Sequence, residues 1–155
     1  MSVDRFFLMA NTVALCGWVL LVLSVVVKNV WLRDVVVGWC WPVGLATLYA
    51  AVFGMVVGRV EGGFDTLANV KKLFASDWVL VGGWIHYLCF DLFVGAWIAK
   101  LVMDKGWTRF WLVLLLPFTF LFGPIGLLAY AILVGVRQTS NLPSQVDSNV
   151  PPRSR

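Results

Sequence analysis

Four long apolar stretches, at residues 6–27, 35–57, 78–102 and 110–136, constrain this chain more than any other feature. Each is near or above the roughly 20 residues a helix needs to cross about 30 Å of hydrocarbon. In lipid, backbone amides and carbonyls must be satisfied within their own segment, so helices are the economical solution. The charges cluster between the stretches, at 28–34, 59–77 and 100–109. Hydrophobic residues make up 61% of the 155 residues and charged residues 13%, against about 45–50% and 25% in a soluble domain. A small water-soluble core cannot hide that much apolar side chain. The expected fold is all-α, an integral, multi-pass membrane bundle of four transmembrane helices with lipid as a partner.

The first stretch is too long for the roughly 7–15-residue core of a secretory signal, and no clear small-residue cleavage site follows it, so it is read as a retained helix. The formal charge is +4, but the twelve Lys and Arg are scattered among ends and connections. No basic run tracks a backbone, so no nucleic acid partner is expected. These cations read instead as headgroup anchors, and several of the nine Trp fall near segment ends, where indoles favour the interface. An even number of crossings puts both termini on one side, with seven of the twelve cations against five. That excess makes the shared side cytoplasmic or its equivalent. Cys16, Cys40 and Cys89 lie apart inside apolar stretches and read as small packing residues. With no CxxC and a lone His, neither a metal site nor a cofactor is expected.

The longest connection, 58–77, carries Phe64, Leu67, Val70, Leu73 and Phe74 at helical spacing, with Lys71 and Lys72 projecting elsewhere. It predicts a short interfacial helix between the second and third crossings. In the fourth stretch Pro124 lacks an amide hydrogen and crowds the preceding turn, which predicts a kink over 120–123. That kink reads as structural or as space for a bound molecule. The chain thus divides into a transmembrane domain over 1–137 and a disordered polar tail over 138–155.

The third helix carries the informative side chains. Asp91 lies near the middle of its span, where a carboxylate costs about 2.5–3.5 kcal/mol, so such residues face the bundle and serve a purpose. Low dielectric disfavours the ionised form, and the expectation is a neutral, proton-donating acid. At 100° per residue, Trp84, Tyr87, Asp91 and Gly95 form one stripe, while His86, Phe90, Phe93 and Trp97 form another. His86 and Asp91 are about 140° apart, a poor geometry for a bonded dyad. Tyr87 and Asp91, four residues apart, can pair. Structural readings stand beside these: Asp91 as polar glue to an indole N–H or to Asn11, His86 as a neutral residue satisfied by a neighbour, and Gly83 and Gly95 as points of close helix approach. No nucleotide fingerprint, paired carboxylates or Ser/His/Asp order is present.

The segment WIHYLCFDLFVGAW, residues 84–97, closely resembles the W-x-H-Y-L-x-F-D-L-F-V-G-x-W signature of the abscisic-acid-deficiency-four-like family. The resemblance extends, in the same order, to Phe7, Ala10 and Asn11, to Gly62-Gly63-Phe64 with Leu73-Phe74, and to FLFGPIGLL at 120–128. Plant members are similar to a plastid membrane protein required for making neoxanthin from violaxanthin. That conversion opens an epoxide into an allenic alcohol, removing a proton from carbon and giving one to oxygen. The resemblance implies Asp91 as catalytic acid or base, Tyr87 assisting and His86 as a catalytic candidate on the other face. It implies substrate contacts from Asn11, Trp84, Phe90, Gly95, Trp97, Gly123 and Pro124. No plastid-targeting extension is read ahead of the first helix, and the expectation is a bacterial source or another compartment.

Three functions stand open. A carotenoid isomerase requires Asp91, with His86, for turnover. A pigment-binding or enzyme-stabilising protein does not. A small transporter or proton path is suggested only by the intramembrane Asp and His, and without inverted repeats it requires a homo-oligomer. A carotenoid or other isoprenoid is the expected ligand, and a partner enzyme remains open.

Overall fold

The computed structural model describes residues 2–140, and the polar tail lies outside them from residue 141 on. The described residues are mostly helical, joined by turns and by one longer connection over 57–66, with no strand among them. Helix α1 spans Val3–Val26, capped by the Ser2 hydroxyl, which accepts from the Arg5 amide. The second crossing is composite, a π-helical segment Leu32–Cys40 running directly into α2, Trp41–Val56. A short α3, Leu67–Leu73, precedes α4, Asp77–Asp104, and α5, Phe110–Ser140. Four of these helical stretches are long and apolar enough to cross a membrane.

The π-helical turns have a local cause. Pro42 at the start of α2 has no amide hydrogen and crowds the carbonyl four residues back, at Gly38, and a wider turn relieves that crowding. Gly38 lets the turn close on Arg33, whose carbonyl oxygen lies 2.9 Å from where a Cβ would sit. The crossing therefore begins three residues before the expected apolar limit at Val35 and brings Arg33 into the protein. Read from sequence as a headgroup anchor, Arg33 is 2% exposed. It donates to Asp34 at 2.6 Å and to Asp104 of α4 at 3.1 Å, while Lys100 donates to the same two acids at 3.2 and 2.8 Å. Two cations and two anions offset one another, and this network pins the second crossing to α4 at one membrane face.

At the opposite face α3 fits the expected interfacial helix. Thr66 caps it by accepting from the Asn69 amide at 3.2 Å, none of its residues is buried, and neighbouring Phe64 is 79% exposed. The Asn69 amide group donates to both oxygens of Asp65 and holds that carboxyl below its ordinary range. Helix α4 is the axle of the bundle. Half of its apolar window is buried, against 22–33% for the other crossings, and α1, the π segment, α2 and α5 all pack on it. Leu92, Ile98 and Ala99 of α4 meet Trp18, Leu21, Leu45, Leu112 and Leu115 in the main core. The outer faces stay apolar, with Leu8, Val19 and Val113 more than half exposed, as lipid-facing surfaces are. Cys89 is buried and its thiol donates to the Pro42 carbonyl at 3.2 Å, whereas Cys16 and Cys40 lie on the exposed surface.

Candidate functional site

The site is built around a break in α5. Pro124 leaves the carbonyl of Phe120 without its helical donor, and the chain departs from helical geometry at Phe122 (φ −143°, ψ 42°), inside the window expected from sequence. A neighbouring helix supports the next carbonyl at the break: the Tyr87 hydroxyl of α4 donates to the Leu121 carbonyl at 2.9 Å, the kind of side-chain rescue that lets a broken helix persist in lipid. Gly123 then lies directly against Asp91. A Cβ at Gly123 would collide with the Asp91 carboxyl, coming 2.7 Å from Cγ with Oδ1 nearer still. Glycine is required at 123 by this close approach of backbone to carboxyl.

Asp91 is 6% exposed, and its Oδ2 has no hydrogen-bond partner among the described residues. The Tyr87 hydroxyl, one turn earlier, interacts with this carboxyl as the spacing predicts, while it donates to the Leu121 carbonyl. Asp91 does not take the role of polar glue to an indole or to Asn11. That role falls to a different pair: Trp84 Nε1 donates to Asn11 Oδ1 at 2.9 Å, and the Asn11 amide donates to the Phe7 carbonyl at 2.9 Å. An unpaired buried carboxyl oxygen costs about 1–3 kcal/mol relative to a bonded one.

One turn along α4 from Asp91, a chamber of about 290 Å³ is lined by Asn11, Leu15, Trp84, Tyr87, Phe120 and Leu121, with Asp91 itself outside its lining. Its floor is aromatic. Trp18 packs edge-on against Phe120 with ring centroids 5.2 Å apart, and the same indole lies over Gly95, where a Cβ would stand 2.5 Å from the ring. Asn11, Trp84 and Tyr87 border the chamber, while the Asp91–Gly123 contact and the Gly95–Trp18 contact lie one to two turns further along α4. Pro124 shapes the break while its own ring is exposed.

The other expected residues are elsewhere. His86 faces α2, with its ring 5.5 Å from Tyr49 and 4.7 Å from Phe90. It borders a separate hollow of about 730 Å³ that reaches Phe53, Gly63 and Phe74 and touches the first site through Trp84 and Tyr87. Trp97 packs edge-on against Tyr130, 5.9 Å away, in the C-terminal half of α5. Asp91 and His86 thus face different elements, α5 and α2, although Trp84 and Tyr87 of the Asp91 stripe also line the hollow beside His86. Sequence reasoning missed Trp18, Phe120 and the Leu121 carbonyl. Only the position four residues before Pro124 pointed to Phe120, and nothing in the sequence marks a carbonyl as an acceptor.

A family model described as ABA DEFICIENT 4-like matches residues 5–130. The chain belongs to that family. All of the residues just assembled, from Asn11 to Pro124, lie inside the matched span, which covers α4 completely. No curated protein and no solved structure matches the chain.

Proposed function

We propose that this ABA DEFICIENT 4-like protein binds a carotenoid or related isoprenoid at the α1–α4–α5 crossing and isomerises it, opening an epoxide to an allenic alcohol. The observation that carries the reading is the Asp91 carboxyl, buried at mid-membrane with Oδ2 unpartnered beside the broken backbone of α5. A carboxylic acid suits this isomerisation because it is bifunctional. Its O–H gives a proton to the epoxide oxygen as the C–O bond breaks, and its other oxygen takes the proton lost from carbon. The electrons of that C–H bond complete the allene, and Asp91 ends in its starting protonation state. No oxidant or reductant is consumed. Tyr87 is a positioning residue in this scheme, because its proton holds the Leu121 carbonyl. No step is assigned to His86, whose ring faces Tyr49 and Phe90.

Holding a pigment without turnover is the second reading. The separation of His86 from Asp91 favours it, since no second strong base contacts the carboxyl. Both readings are tested by expressing the chain in membranes of a carotenoid-producing host, identifying copurified pigment and supplying an epoxy-carotenoid. The catalytic reading expects an allenic product from the native chain, with pigment but no product from a folded Asp91→Asn variant. Product surviving in Asp91→Asn removes Asp91 from the chemistry. Pigment without product in both chains leaves the holding role, and neither pigment nor product refutes the carotenoid reading.

A further inference from the structure

We propose that the wedge between α1 and the N-terminal half of α5 is a binding site for one acyl chain of an anionic phospholipid, with Arg109 holding its headgroup. Both helices pack on α4 rather than on one another, which leaves an apolar groove of about 590 Å³ between them. Trp18, Val22, Leu112, Leu116 and Phe120 line it, and Arg109 stands at its mouth beside the last turn of α1. From Arg109 to Phe120 the groove follows eleven residues of α5, about 17 Å at 1.5 Å per residue. That is the depth of one leaflet, half of a hydrocarbon core about 30 Å thick. The groove meets the 290 Å³ chamber at Leu15 and Phe120, but Arg109 stands at its other end, and the proposal does not rest on the isomerase reading.

Charge decides the occupant. The Arg109 guanidinium makes one hydrogen bond, to the Val26 carbonyl at 3.1 Å, and no ion pair among the described residues. Of the other cations at this end, Arg33 and Lys100 are paired with Asp34 and Asp104, while Lys105 and Arg137 lie over the Trp107 ring. A second copy of the chain seated in the wedge brings those same two acids to this level, both already engaged. A neutral hydrocarbon leaves the guanidinium uncompensated at the headgroup layer. An anionic phospholipid satisfies both parts, its phosphate taking charge-assisted hydrogen bonds from Arg109 and its chain filling the groove.

The test uses the full chain in phosphatidylcholine vesicles containing rising fractions of chain-brominated phosphatidylglycerol or chain-brominated phosphatidylcholine. Quenching of Trp18 is read as the difference between the native protein and Trp18→Phe. The anionic lipid is expected to quench at about a fivefold lower mole fraction, the scale of one cation near a membrane surface. Arg109→Gln loses that preference and Arg109→Lys keeps it. Val22→Phe, a filling change at a half-exposed groove position, reduces quenching by both lipids. Equal quenching by the two lipids in the native chain overturns the proposal, as does a preference that survives Arg109→Gln. Displacement of the lipid by inorganic phosphate alone assigns the site to a free anion instead. Efficient disulfide cross-linking between copies carrying Val113→Cys assigns the wedge to a second copy.

Discussion

Replacing Gly123 with alanine places a methyl group against the Asp91 carboxyl. The new Cβ would stand 2.7 Å from Asp91 Cγ, whereas carbon pairs settle at about 3.5–4.0 Å, so about 1 Å must open between α4 and α5. Overpacking of that kind costs about 1–3 kcal/mol. The broken backbone at Phe122 absorbs part of the displacement, which sets the expected loss near about 2 kcal/mol. In an Asp91→Ala background the carboxyl is gone and the methyl group meets vacated space. The ordinary preference for alanine over glycine in helices, about 0.8–1.0 kcal/mol, then acts without opposition. The four chains of this double-mutant cycle should therefore show a coupling of about 2–3 kcal/mol, at the upper end for residues in contact. Reversible unfolding in detergent, followed by helical circular dichroism and Trp fluorescence, measures each stability. If Gly123→Ala lowers stability equally in both backgrounds, the carboxyl does not rest on the α5 break, and the site loses its central contact.

Tyr87→Phe strips the Leu121 carbonyl of its donor and should cost about 1 kcal/mol in the same unfolding assay, with faster amide exchange just beyond the break as the local signature. Arg33→Met removes a cation whose side chain is 3% exposed and leaves Asp34 and Asp104 to Lys100 alone. The acids remain partly open to solvent, so the loss is expected at about 2 kcal/mol rather than the 3–5 kcal/mol of a wholly buried pair. His86→Ala should change stability by less than about 1 kcal/mol, since the ring is exposed toward lipid, and should leave any turnover in the pigment assay intact. A loss of product matching that of Asp91→Asn would return His86 to the chemistry.

The crossings were legible because lipid imposes one demand, about 20 apolar residues in helical form, that no other context imposes so strictly. A break in α5 was legible because Pro124 forfeits a backbone donor wherever it falls, but its extent was not. Past Phe122 the helix turns back, so Tyr130 and Arg137 lie beside Trp107, and Arg137 sits at the end that holds Arg109 rather than at the opposite face expected from sequence. The π-helical start of the second crossing was not legible either. It depends on how Pro42, Gly38 and the Arg33 carbonyl crowd one another, and periodicity at 100° per residue does not encode a wider turn. Arg33 itself was misplaced because only one of its neutralising partners, Asp34, is adjacent, while the other, Asp104 of α4, is 71 positions away. A charge beside an apolar stretch reads as an anchor until the partners that permit its burial are known. Within the site, the stripe carrying Tyr87 and Asp91 followed from helix geometry alone. The acceptor of the Tyr87 proton did not, because any residue's carbonyl can fill that role and only the three-dimensional break exposes one.

The two stripes of α4 bear directly on which chemistry the protein can perform. A helix packed on three sides by α1, α2 and α5 has little room for polar groups, and each must be satisfied by the element it faces. The α2 side offers His86 an aromatic wall at Tyr49. The α5 side offers Tyr87 a freed carbonyl at Leu121 and offers Asp91 the backbone at Gly123, which has no donor aimed at Oδ2. A carboxyl kept only for packing would be better replaced by leucine or asparagine, the first removing the polar cost and the second supplying donors as well as acceptors. Glycine at 123 makes room for a group that contributes no hydrogen bond through Oδ2 to the bundle. That arrangement is costly for stability, and this cost is the ground on which Asp91, rather than His86, carries the proposed function.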